Sequence, residues 1–187
     1  MAIFKCSWIV LKKSDLNENQ NLLTVFTREY WKININYKNS KTQKSLDIGF
    51  IIDFETNVKS EKKIVSLSNV HIKSQFNYEN KDYNIILEYL NTIYIIQKLC
   101  PLNLELTWIY EIIESLHKIE LNEEKLIFAQ LKIISNLWLL NIENNDLTIK
   151  KILSFVQKNS ILDILKLKWL NEDLKTTLKQ IIKSKLV

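Results

Sequence analysis

The sequence predicts an α+β protein: a small β-barrel followed by an all-α helical bundle. Up to about Phe76, runs rich in β-branched and aromatic residues follow one another with polar turns and almost no helical period between them. From Asp82 onward, apolar residues recur instead at helical spacing. Apolar residues make up 47% of the chain and charged residues 25%, which excludes a disordered polymer and places both halves among folded domains. Two domains are expected, residues 1–80 and 81–187.

The first strand is expected in IFKCSWIVLK, closed by Lys12, Lys13 and Asp15. A polar connection leads to LLTVFT, and a turn from Arg28 to Trp31 leads to KININYK. That third run alternates with a period of two. Ile33, Ile35 and Tyr37 are expected to look inward, and Lys32, Asn34, Asn36 and Lys38 outward. After the loop KNSKTQK come LDIGFIIDFETNV and KKIVSLSNVHIKSQF, split by a polar turn at Lys59 to Lys62. Five strands without intervening helices point to a closed or partly closed barrel, of which the five-stranded OB-fold is the simplest. The chain has one glycine, so asparagines such as Asn39, Asn57, Asn80, Asn144 and Asn145 are the candidates for left-handed turn positions.

In the second half, Ile85, Ile86, Leu90, Ile93 and Leu99 follow helical spacing until Pro101 stops the run. Further helices are expected over Leu104 to Lys118, Glu123 to Leu140, Leu147 to Lys158, Ile161 to Leu170 and Glu172 to Lys185. Asn122, Asp146, Ser160 and Asn171 stand at their starts as N-caps. Leu126 to Ile142 is apolar enough to be the central helix, while Trp108, Trp138 and Trp169 sit in apolar helical patterns and read as core.

Charge is distributed unevenly. Residues 1–80 hold 12 basic and 8 acidic side chains, residues 81–149 hold 5 and 10, and residues 150–187 hold 9 and 3. Basic ends favour a polyanionic partner. Within Leu22 to Lys44, five cations (Arg28, Lys32, Lys38, Lys41, Lys44) face one acid, Glu29, with Tyr30, Trp31 and Tyr37 interleaved. Cations bind phosphates and flat rings stack on unpaired bases, so this stretch suits a single nucleic-acid strand. Lys12 and Lys13 would extend the phosphate track, and Tyr37 or Trp31 would stack if exposed. Lys166, Lys168, Lys179, Lys183 and Lys185 offer a second basic surface, although a solvated amphipathic face is the favoured reading of them.

Other chemistry finds little support. One glycine leaves no phosphate-binding loop. Cys6, Cys100, His71 and His117 lack zinc-ligand spacing, so no metal and no cofactor is expected. Glu123, Glu124, Glu143 and Asp146 lie at helix ends, where capping and helix dipoles account for them, and a non-enzyme is expected. The first residues lack the order of a signal peptide and no apolar run approaches membrane-spanning length, so the expectation is a cytoplasmic protein without a membrane partner.

Trp8-Ile9-Val10-Leu11, Leu22 to Glu29, Trp31-Lys32, the basic loop after it and Phe50 to Phe54 resemble the opening of the RecO family of bacterial DNA repair and recombination mediators. The closing LKQIIKSKL is similar to the family's last helix. Trp8, Trp31 and Asn39 stand where members usually carry glycine, and the Cys-rich zinc-binding segment of many members is missing after NIENND. The resemblance implies an OB-fold that binds single- and double-stranded DNA and anneals complementary strands. It further implies cooperation with a RecR-like partner to load recombinase onto strands coated by single-strand-binding protein, whose acidic C-terminal tail the helical domain would receive. Such a tail needs an apolar pocket and a cation for its carboxylate, for which Lys125 and Lys132 are the candidates. The alternative is a non-catalytic interaction scaffold with a peptide-binding barrel.

Overall fold

The computed structural model describes residues 3–17, 20–27, 31–38, 46–57, 64–79, 81–101, 106–142, 146–167 and 170–186. Its strands are β1 (Ile3–Asn17), β2 (Gln20–Thr27), β3 (Trp31–Lys38), β4 (Ile51–Asn57) and β5 (Ile64–Ser74). Its helices are α1 (Tyr83–Leu99), α2 (Thr107–His117), α3 (Glu123–Asn136), α4 (Leu147–Lys158), α5 (Ile161–Ile164) and α6 (Glu172–Ser184). The α+β order of strands followed by helices is as expected.

The strands pair in the order β1-β2-β3-β5-β4 and the ladder returns to β1, forming a closed barrel. All neighbours are antiparallel except β3 and β5, which meet in parallel at Asn34 to Asn36 and Ile64 to Ser66. β1 is long because it serves two partners, β4 through residues 3–9 and β2 through residues 8–17. Register shifts between Val10 and Lys12 and between Asp15 and Asn17 bend it, as a strand shared round a barrel requires. The interior is filled by Trp8, Val10, Leu23, Val25, Ile35 and Ile52, all buried, whereas the equally buried Ile9, Phe26 and Ile51 share the opposite face of the sheet. Trp8 packs edge-on against Phe54, with ring centroids 3.7 Å apart.

Two positions with positive φ shape the sheet. Gly49 (φ 82°) ends the turn before β4, and its N–H donates to Val10 O at 2.7 Å. Asn69 (φ 51°) takes the left-handed position where β5 shifts register against β4, and its Nδ2 donates to Glu55 Oε2 at 2.7 Å. Asparagine thus replaces glycine as expected, but at Asn69. Asn57 closes β4 as ordinary strand, and Asn39, Asn80, Asn144 and Asn145 lie outside the described residues.

The chain divides into two units, Met1–Asn77 with Pro101–His117, and Tyr78–Cys100 with Lys118–Val187. A single cut after residue 80 therefore does not describe it. α2 joins the strands because its Tyr110 and His117 bond Lys73 and Ser74 of β5. In the second unit α3 is the central helix, with Leu126 to Leu131 buried without a break. Glu88 of α1 is also buried, and Gln130 Nε2 of α3 donates to its Oε2 at 3.0 Å.

The four expected caps are present. Asn122, Asp146, Ser160 and Asn171 each accept a backbone N–H of the first turn with the side chain. Two helices are shorter than their apolar patterns. α5 has one turn, and α3 stops at Asn136, where Trp138 (φ 61°) sits in the left-handed C′ position. The N–H of Trp138 donates to Ser135 O at 2.9 Å and that of Leu139 to Ile134 O at 3.1 Å, the Schellman pairing. Trp138 is consequently 87% exposed rather than core, and Trp169 lies outside the described residues.

Candidate nucleic-acid interface

Strand alternation sorts the side chains of β3. Lys32 is half-buried, and Asn34, Asn36 and Lys38 are exposed on the outer face, while Ile35 and Tyr37 are buried inside. The register carries the outer face across to β2, where Asn34 opposes Thr24, Asn36 opposes Leu22, and Lys38 opposes Gln20. Thr24 Oγ1 donates to Asn34 Oδ1 at 2.8 Å. Lys12 of β1 opposes Thr24 and is exposed, so Lys12, Thr24 and Asn34 form one row across three strands. Neither β2 nor β3 contains an acid. From Lys32 to Lys38 this face runs roughly 20 Å.

Three of the candidate residues fall elsewhere. Tyr37 is only 4% exposed, and burial raises its hydroxyl pKa. It is a core residue of the barrel, so the expectation that it stacks on bases is corrected. Lys13 opposes the buried Leu23 and so stands on the other side of β1 from Lys12, the side that Asp15 shares. Arg28, Lys41, Lys44 and the Trp31 side chain lie outside the described residues. The third is Lys179, which is drawn into ion pairs in the second unit, 2.8 Å from Glu88 Oε1 and bonded to Glu123 Oε1. Lys166 pairs with Asp163 at 3.1 Å, Lys183 is exposed, Lys185 is half-buried, and Lys168 lies outside the described residues.

The two candidates for a partner's carboxylate are engaged locally. Lys132 Nζ donates to Val156 O at 3.0 Å and Gln157 O at 3.2 Å, satisfying carbonyls at the end of α4, and desolvation lowers its pKa. Lys125 Nζ donates to Glu120 O.

One polar cluster had no sequence signal, because its members are far apart along the chain. Lys73 Nζ bonds Tyr110 Oη at 2.8 Å and pairs with Glu114 at 3.5 Å, and Ser74 Oγ lies 2.8 Å from His117 Nδ1. Burial lowers the His117 pKa to about 4 against the opposing pull of Glu114, so the ring is neutral at pH 7. It does not act as a cation at the end of α2. Among the described residues no group of three or more His, Cys, Asp or Glu could hold a metal ion, and no helix is long and apolar enough to cross a membrane.

A scan against protein-family models finds no match to this chain, and a search of curated proteins returns none either.

Proposed function

We propose that the chain is a non-catalytic DNA-binding mediator whose first unit is an OB-fold. The observation that carries this reading is the acid-free outer face of β2 and β3, with Lys32 and Lys38 on it and Lys12 beside it. In OB-folds the face of strands 2 and 3 is the usual oligonucleotide platform. The strand order β1-β2-β3-β5-β4, with β3 and β5 parallel, supports the same reading. Amides and hydroxyls between the lysines (Asn34, Asn36, Thr24) hydrogen-bond bases or sugars without preference for one sequence.

The function is that implied by the RecO resemblance: binding single- and double-stranded DNA, annealing strands, and helping recombinase onto strands coated by single-strand-binding protein, in the cytoplasm. A RecR-like protein and the acidic tail of the single-strand-binding protein are the proposed partners. Because Lys132 caps α4 and Lys125 bonds its own loop, the tail's carboxylate is not assigned to either. Fluorescence anisotropy with labelled single- and double-stranded oligonucleotides, titrated with salt, tests the reading. Affinity should fall steeply as salt rises, and binding that ignores salt, or no binding at all, sinks it.

A further inference from the structure

α1 is apolar on two opposite faces. Tyr89, Thr92, Ile93, Ile95 and Ile96 are buried on one. On the other, Tyr83 is 72% exposed, Leu87 41% and Tyr94 47%, with Leu90 half-buried between them. At 100° per residue these four fall within about 60° of arc, along roughly 17 Å of helix. A contiguous apolar stripe left on the solvent side of a helix, flanked by Asn84, Asn91 and Lys98, marks a contact surface.

The stripe reads the same in both directions. Its order is Tyr, Leu, Leu, Tyr, with steps of four, three and four residues. A twofold axis midway between Leu87 and Leu90 would lay Tyr83 of one copy against Tyr94 of the other, and Leu87 against Leu90. A two-fold interface requires this self-complementarity of one patch. The ends agree with it as well. Glu79, Lys81 and Asp82 at the start of α1 sum to one negative charge, Lys98 near its end is positive, and Asp82 and Lys98 are both exposed. Antiparallel pairing brings these opposite charges together and opposes the two helix dipoles, whereas parallel pairing would set Lys98 against Lys98. We infer that two copies of this chain associate through α1, in antiparallel, with Tyr83, Leu87, Leu90 and Tyr94 as the contact.

Sedimentation velocity of the full chain over a range of concentrations is the test, with Leu87→Glu and Leu90→Lys variants beside the wild type. The wild type should pass from monomer to dimer. Each variant alone should need about a hundredfold more protein, because each dimer would bury two unpaired charges. An equal mixture of the two variants should recover dimers, since Glu at 87 then faces Lys at 90 across one half of the contact and leucines meet across the other. Circular dichroism matching the wild type shows that each variant is folded. A wild type that stays monomeric, variants that dimerise as well as the wild type, or a mixture that recovers nothing would each overturn the assignment.

Discussion

Lys179 of α6 holds Glu88 of α1, with Nζ 2.8 Å from Glu88 Oε1, and the same ammonium bonds Glu123 Oε1 at the start of α3. One cation thus ties three helices that are distant in sequence. The other Glu88 oxygen accepts from Gln130 Nε2 at 3.0 Å, so both ends of this buried carboxylate are satisfied. Replacing Lys179 by Met leaves Glu88 with Gln130 alone and should cost about 2 kcal/mol, below the roughly 3–5 kcal/mol of a fully buried broken pair because the site is partly exposed. Adding Glu88→Gln should restore part of that loss. Urea unfolding of the two single variants and the double variant reads the coupling, and additive losses would show that the two groups do not interact.

The same network sets a pH dependence. Bonding to Lys179 holds the Glu123 carboxyl below its usual pKa, so its contribution is present above the ordinary carboxylate value and is lost as pH falls through the lowered one. Desolvation opposes the Lys179 charge, but its bonds to Glu123 and Glu88 outweigh this and raise its pKa. That contribution is complete below the usual lysine value and is lost as pH rises through the raised one. The melting temperature should therefore be flat at neutral pH and fall at both extremes, and Glu123→Gln should remove part of the acid-side fall. Thermal melts across pH check this.

On the barrel, alanine at Lys12, Lys32 and Lys38 together should flatten the salt dependence of single-strand binding. At about 0.7 per lost phosphate contact, the slope of log affinity against log salt falls by about 2. Tyr37→Phe should leave DNA affinity as it was, since the ring lies in the core, whereas Tyr37→Ala should cost about 3 kcal/mol of stability. Anisotropy titrations and urea unfolding separate the two effects.

Trp138 occupies a left-handed position in which a Cβ is strained, and its ring is 87% exposed. Trp138→Gly should therefore stabilise the second unit by about 1 kcal/mol. A lower melting temperature in that variant would mean that the indole makes contacts in solution worth more than the backbone strain.

Patterns with a short period were legible in the chain. Alternation in KININYK marked β3 and its two faces, and Asn122, Asp146, Ser160 and Asn171 marked helix starts, because strands and caps are set by residues within a few positions of one another. The ends of α3 and α5 were not, since an apolar run continues past the point where the backbone turns.

What the sequence determined by itself was the order of strands and helices and the cationic outer face of β3. Only the tertiary structure decided which lysines remain at the surface. It drew Lys179 to Glu88 and set Lys132 on the end of α4. It also moved α2 to the barrel unit through Tyr110 and Lys73. The physical reason is range: propensity and capping act between near neighbours, whereas an ion pair or a buried carboxylate takes its partner from whatever segment the fold brings within about 3 Å.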